Sequence, residues 1–471
     1  MSRINTNVPA LLAARNLANN QVSMNSALQR LSTGLRINSG KDDPAGLIAS
    51  QNLKSEATAI SAAIDNASRA DNMVAVAEGA LGEVSNLLIQ LEDLTDRSAN
   101  QAGLSADEVK ANQLQIDSIL DSVNRIANTT SFQGKKLLNG SFDYTTGTIP
   151  AELASVRVNT AKLPEGGTRN VVVQLTNSAE LGVIKYSGAG LAVSASTIKV
   201  AGNYGTEMFS FAGSTKISAM AYAINEVKEL TGVSATLSAA GGAMYFNSVD
   251  YGSTAYVSVS QISGGAFATD VANDYGANAS VSINGTTAIT DGLKASVRTS
   301  SLSVDVTMSA GFGGGAGGLV SKTFAITGGG AQFSLAPEIS LAGQESIGIA
   351  SVTSADLGDG VNKLSTLGSG QANELSAKNF ATSQRIIRAA TAQVSNMRGR
   401  LGAFQKETLQ STMNSLRVAY ENTQAAQSAI SDADFATETS NMTRAQILIQ
   451  SSTSVLQMAN QAPQNVLTLL R

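Results

Sequence analysis

Apolar residues recur at heptad spacing at both ends of this chain, with no such stripe between. From about Ala10 to Leu35 the stripe holds Leu17, Met24, Leu28, Leu31 and Leu35. After a break at Ile37–Gly46 comes the longest ladder: Leu53, Ile60, Ala63, Ala67, Ala70, Val74, Ala77, Leu81, Val84, Leu88 and Leu91. From Ile60 its steps alternate three and four, the seam of a coiled coil, and its many alanines allow close helix approach. Asp43 and Pro44 mark its start: a capping carboxylate, then a residue whose missing N–H would have had no partner there. Ser105 and Glu108 form a capping box for a third helix, with Ile116, Ile119, Val123 and Ile126 on its stripe and an end near Asn128. Phe132–Tyr144 then reads as a β-hairpin turning at Asn139-Gly140.

Between about Gly166 and Gly330 the period falls towards two. Asn170–Leu175 and Ala255–Ser260 read as strands, and one amphipathic helix interrupts them near Ile217–Leu230. Helical periodicity returns after Gly370 with Ile387, Ala390, Val394, Met397, Leu401 and Phe404. One five-residue step leads to Leu409, and Met413, Leu416 and Tyr420 resume the ladder. After a turn at Ser431-Asp432, a last helix carries Phe435, Met442, Ile449 and Leu456 at steps of seven, and Pro463 should kink or end it. The fold class is therefore mainly α at both termini. N- and C-terminal segments form a long coiled-coil-like helical bundle, and β-rich, α+β outer domains are inserted in the middle.

The inner ladders have similar lengths and can complete one core within a molecule. Their seam is Leu53, Ile60, Val74, Leu81 and Leu88 against Val394, Leu401, Met413 and Leu416. Each large aliphatic side chain buried there contributes roughly 1.5–3 kcal/mol of transfer free energy. The outermost helices lie beyond polar breaks, and two helices paired alone are marginal in water. They are expected to be poorly ordered in a free monomer and to fold when copies assemble. Leu17, Met24, Leu28, Leu31, Leu35, Phe435, Met442, Ile449 and Leu456 are the self-assembly residues on this reading.

Composition narrows the chemistry. The chain has 471 residues and a net charge of −4, which favours neither nucleic acid nor an anionic membrane surface. It has no cysteine and no histidine, which removes thiolate catalysis, disulfides, HExxH zinc sites and histidine bases. With no Trp and 4% aromatics, cores must rest on aliphatic packing. The run at Gly311–Gly318 is a flexible loop that lacks the Lys-Ser/Thr ending of a phosphate cradle, and Gly213–Lys216 fails the same pattern. Asp270–Asp274 and Asp356–Asp359 offer carboxylates in Gly- and Ala-rich surroundings that look like turns. No catalytic, cofactor or metal residue is assigned. The first residues form no continuous apolar segment of a Sec signal, and no window approaches 18 apolar residues, so no membrane span is expected.

The blocks LQRLSTGLRINSGKDDPAGL at Leu28–Leu47, SAN at Ser98–Asn100 and SFQGKKLLNG at Ser131–Gly140 closely resemble bacterial flagellin. So do SAISDADFATE at Ser428–Glu438 and QILIQSSTSVLQMANQAPQNVLTLLR at Gln446–Arg471. The resemblance covers about the first 145 and the last 105 residues. A weaker trace lies in AINEVKELTGVSATL at Ala223–Leu237 and FSLAPEISLAGQESIGI at Phe333–Ile349. It implies an innermost filament domain made of 1–45 and 432–471. A helical bundle domain follows, made of 46–165, with the hairpin, and 331–431, around a variable surface domain at 166–330. The implied function is the self-assembling subunit of the flagellar filament, a helical homopolymer used for swimming. The alternative within the family is the hook–filament junction protein, which is usually shorter.

The resemblance also implies type III export without a cleaved signal peptide, and an extracellular location on the flagellum. The implied partners are a cap protein, the hook–filament junction protein, an export chaperone at the C-terminal helix and the export apparatus. The absence of cysteine suits threading. Flagellins sensed by Toll-like receptor 5 typically present a basic-rich helix segment that matches Leu88–Leu94. Here Gln90 stands where an Arg is usual and Glu92 replaces a second basic residue, while Leu94 is retained. Gln115 aligns, allowing one inserted residue, with a receptor-contacting Glu. This altered surface implies weak receptor activation. Pro44 stands where many flagellins have Ala, and the Ser/Thr-rich middle resembles outer domains that carry O-linked glycans in some flagellins.

Overall fold

A computed structural model describes residues 6–100, 103–164, 167–186, 195–238, 243–265, 267–312 and 320–469, with side chains described up to residue 461. Helix α1 (Val8–Thr33) starts two residues before the expected point. The side chain of Asn7 accepts the N–H of Ala10, and the helix stops at Gly34, whose left-handed φ of 72° ends the ladder before Leu35. Helix α2 (Pro44–Ser98) has Pro44 as its first residue, and Asp43 Oδ1 accepts the Gly46 N–H at 2.9 Å. Helix α3 (Ala106–Thr129) carries the full Ser105/Glu108 capping box. The single helix expected at Ile217–Leu230 is two, α4 (Ile217–Glu226) and the one-turn α5 (Lys228–Thr231). Helix α6 (Phe380–Ala403) leads into a π-helix at Phe404–Gln410, then α7 (Ser411–Ser431) and α8 (Phe435–Leu469). Pro463 does not end α8; its one missing N–H interrupts the bond ladder and the helix continues.

The π-helix lies where the ladder takes its five-residue step. Its i→i+5 bonds absorb one extra residue. Leu401 before it and Leu409 in its last turn are both fully buried as a result. In α3 the seam is Ile116, Leu120, Val123 and Ala127, with Gln113 at its head, and Ile119 and Ile126 fall to the half-buried edge. The stripe is turned because Gln113 is held from the other side. Its Nε2 donates to the Leu367 carbonyl at 2.8 Å and its Oε1 accepts the Leu375 N–H at 2.9 Å. The hairpin after α3 turns at Gln133-Gly134, both at positive φ, not at Asn139-Gly140. Leu137 and Leu138, fully buried, anchor the chain between the two sites, and Asn139 instead accepts the Ser141 N–H in a separate turn.

The chain divides into two compact units. One comprises Met1–Asp71, Ser334–Gly343 and Gln405–Arg471, and the other Asn72–Phe333 and Gln344–Phe404. In the first, Ile60 and Ala63 of α2 pack on Leu416 of α7, flanked by Ile64, Ala419 and Tyr420. In the second, Val74, Ala77, Leu81, Val84, Leu88 and Leu91 of α2 are buried, as are Ile387, Ala390, Val394 and Leu401 of α6. Polar pairs fix these two segments antiparallel: Arg398–Glu78 at 2.7 Å, Arg388–Glu92 at 2.8 Å and Gln384–Asp96 at 3.0 Å. By length and composition alone, α2 is apolar enough to cross a membrane, with a window of mean hydropathy 1.2. Its apolar stripe is the buried seam of a bundle.

After that hairpin, the strands of the central region begin at Tyr144, earlier than the periodicity suggests, and build two modules in the second unit. One has a five-stranded sheet ordered Thr286–Thr287, Ser280–Ile283, Arg169–Asn177, Val320–Gly329 and Tyr144–Thr146. Its second sheet, ordered Ile289–Asp291, Lys294–Arg298, Leu302–Met308 and Leu153–Ala161, has four strands. Val171, Val173 and Leu175 point inward, alternating with the outward Asn170, Val172 and Gln174, and share a core with Val304, Val306 and Phe324. The other module lies between Val183 and Tyr275. Its core joins Ile184, Val200, Phe246 and Val257 to Met220 and Ile224 of α4. Residues 313–319, which include six residues of the glycine-rich run, lie outside the described residues.

The inserted module leaves and returns at one point. Glu180 and Ala277 exchange backbone bonds at 2.9 and 3.1 Å. Excising residues 181–276 and joining the ends through a two-residue turn should leave the first module and the helices folded. Amide hydrogen exchange checks this: protection at Val171–Leu175 is retained within about threefold, because their strand partners at Ser280–Ile283 and Val320–Ile326 remain.

Candidate functional site

Helices α1 and α8 run antiparallel, so close that their Cα atoms approach within 8 Å. Asn7 Nδ2 donates to the Ala459 carbonyl at 2.7 Å, Asn20 Nδ2 to Ser452 Oγ at 3.1 Å, and Arg30 Nη1 to Glu438 Oε1 at 3.0 Å. Beyond the end of α1, Leu35 bridges Asp432, and Arg36 Nη2 donates to the Ile430 carbonyl at 2.6 Å. This register brings Ala13 level with Leu456, Leu17 with Ser452, Met24 with Ala445, and Ala27 with Met442. Each layer sets a large side chain against a small one, which is why the backbones come so near.

Leu17, Met24, Leu31, Met442, Ile449 and Leu456 lie half-buried along this seam, while Leu28, Leu35 and Phe435 are exposed outside it. The stripe that the sequence leaves for neighbouring copies is thus partly covered within the chain. The buried positions are small, Ala13, Ala27 and Ala445, together with the acid Glu438 at 7% exposure. Reasoning from large apolar residues passes over them. The available signal is the spacing of Ala13, Asn20 and Ala27, also seven apart.

Each helix covers only one face of the other. On α1, Leu11 and Val22 remain 64% and 68% exposed; on α8, Ile447 and Met458 remain 60% and 62% exposed. Val8, Leu12, Leu448 and Val455 are also exposed. A pair of helices with apolar residues on its outer faces is an incomplete core.

The other candidates lie elsewhere. Of the bundle seam, Ile60, Val74, Leu81, Leu88, Val394, Leu401, Met413 and Leu416 are buried and Leu53 is half-buried. On the receptor-like surface Gln90 and Gln115 are exposed and Leu94 half-buried, while Glu92 is bound to Arg388. The acidic turns are structural. Asp270 Oδ1 accepts the Lys185 N–H, Asp274 Oδ2 the Val183 N–H, and Asp359 Oδ1 the N–H groups of Val361 and Asn362. These carboxylates satisfy backbone donors and leave no converging pair for acid–base work.

Residues 4–143 match the bacterial flagellin N-terminal helical region, and residues 384–470 the bacterial flagellin C-terminal helical region. Over 99% of both chains, the protein is 30% identical to polar flagellin F of Vibrio parahaemolyticus and 32% identical to flagellin C of Vibrio cholerae. Among solved structures it is 16% identical to FliC from Burkholderia pseudomallei, covering 73% of this chain and 99% of that one, with a TM-score of 0.25. It is also 16% identical to FlgL of Xanthomonas campestris, covering 78% and 98%, with a TM-score of 0.28.

Proposed function

The chain belongs to the bacterial flagellin family as a structural subunit of the extracellular flagellar filament, and we propose that its α1–α8 pair is the element through which it polymerises. The observation that carries this reading is the pair's division of labour. Its seam is closed by small-on-large packing, while Leu11, Val22, Ile447 and Met458 stay outside. Burial of those residues in neighbouring copies supplies what two helices alone lack, so the pair gains its full order on assembly. Contacts that repeat head-to-tail without closing generate an open helical polymer. The reading assigns no catalysis to the chain.

Replacing Val22, Ile447 and Met458 together by Ser tests it, since these side chains lie off the seam. The helix pair should persist while the sedimenting polymer falls at least tenfold. Three apolar side chains about two-thirds exposed, each contributing about 1 kcal/mol or more on burial, predict at least that loss. Polymer yields equal to the parent's would sink the proposal.

Delivery as an unfolded chain through a type III apparatus, with a chaperone on α8 and a cap protein at the growing tip, fits a subunit with no cysteine to cross-link in transit. The hook–filament junction protein is the partner proposed at the filament base. On the α2 surface, Gln90 offers no cation, and the neighbouring Arg388 guanidinium is engaged by Glu92, which weakens any charge-assisted contact, the kind stronger than a neutral one. Activation of Toll-like receptor 5 should therefore be weak. A reporter-cell titration would show a half-maximal dose at least about tenfold above that of a strongly sensed flagellin.

A further inference from the structure

The apolar pattern of the terminal pair does not by itself specify one alignment. Small residues on α1 (Ala13, Asn20, Ala27) and on α8 (Ala445, Ser452, Ala459) both recur every seven positions, as do the large ones between them. A slip of three or four residues sets large against large and is excluded. A slip of seven brings Leu17 level with Ala459, Met24 with Ser452 and Leu31 with Ala445, again large on small. Packing alone therefore leaves one-heptad slips nearly equivalent, a recognised weakness of regular helical seams.

The polar seam positions break that equivalence. Glu438 is buried, and the Arg30 guanidinium meets it at 3.0 Å. A slip one way sets Glu438 beside Met24; a slip the other way carries it past the end of α1 at Thr33. The first strands a desolvated carboxylate, which is far more costly than losing an exposed pair, and the second leaves Arg30 without its carboxylate. The Asn20–Ser452 bond and the Asn7 bond to the Ala459 carbonyl mark the same register at two further heights. Asn20 in the slipped seam faces Leu456 or Met442 with no bonding partner.

We propose that Arg30, Glu438, Asn20 and Ser452 carry the register set at the Leu35–Asp432 bridge along the terminal pair, holding the helices against one-heptad slips and fixing which apolar residues the finished subunit turns outward. This deepens the polymerisation reading and rests on it for its consequence: a slip displaces Ile447 and Met458 by about 10 Å relative to Leu11 and Val22, seven residues at 1.5 Å each. The four residues act as positioning residues; they need touch no neighbouring copy.

The chain has no cysteine of its own, so labels at Gln29→Cys and Gln457→Cys, both exposed, report one intrachain distance. Labelled subunits are diluted into unlabelled filaments and read by pulsed electron resonance; the free subunit is read where no filaments form. The parent gives one distance. Arg30→Leu, Glu438→Leu and Asn20→Ala together give a second population shifted by about 10 Å. The exchange Arg30→Glu with Glu438→Arg restores the single distance, whereas Arg30→Glu alone does not. A single unshifted distance in the apolar variant overturns the proposal. So does a swapped variant as heterogeneous as Arg30→Glu. A parent that shows one distance yet never polymerises overturns the filament reading and leaves the register assignment standing.

Discussion

Replacing Ile449 and Leu456 together by Asp is expected to abolish filament formation while the helical core keeps its own melting transition. Both side chains lie half-buried on the α1–α8 seam, level with small residues of α1. Half-burial of two large aliphatic residues contributes about 2 kcal/mol. The substitution loses that and sets two carboxylates in a strip built for methyl groups, far along α8 from Arg30, the cation that Glu438 already holds. A two-helix pair has little margin to absorb such a loss. The seam at Val74–Leu91 uses none of these residues. Seeded polymerisation viewed by negative stain should show no filaments, and circular dichroism should show an unchanged main transition. Normal filaments from this variant would mean that the terminal pair does not govern assembly.

Deleting one residue should be nearly harmless at Lys406 and severe at Asn396, ten positions earlier on the same helical run. Within Phe404–Gln410 the backbone already carries one residue too many for an α-helix. Removing Lys406 lets α6 and α7 join as one continuous helix, with Leu401 and Leu409 then seven apart and still in phase. Removing Asn396 turns Met397 and Leu401 by about 100° off the seam. Both are essentially fully buried, and moving two such side chains into water costs about 3–6 kcal/mol. The melting temperature should fall by about 10 °C or more for the Asn396 deletion and change by only a few degrees for the Lys406 deletion. Equal destabilisation by both would show that the π-turn is required for more than phase.

The contrast between those deletions is legible in the sequence, because a five-residue step in a three–four ladder is a local count. The Pro44 start, the Asp43 cap and the Ser105/Glu108 box are legible for the same reason: each is settled within one turn of chain. What escapes the sequence depends on a partner far along it. Asn139-Gly140 is the stronger turn signal, yet Leu137 and Leu138 bury themselves and the hairpin closes at Gln133-Gly134. The α3 stripe is turned by Gln113, whose bonds go to Leu367 and Leu375. Period-two alternation finds Arg169–Asn177 as a strand, but nothing local says that its neighbours are Ser280–Ile283 and Val320–Gly329. In the terminal pair, the visible half of the pattern is the large residues. The small residues and the pair of Arg30 with the buried Glu438 gain meaning only when α1 and α8 are set side by side.

That pairing also imposes an order in time. Helix α1 is translated about 400 residues before α8, which holds the face it needs. Until α8 emerges, α1 is unmatched and the subunit has no completed pair to offer its neighbours. The contact that α1 opens therefore closes only after every intervening element has been made, so the assembly surface is the last part of this fold to be completed.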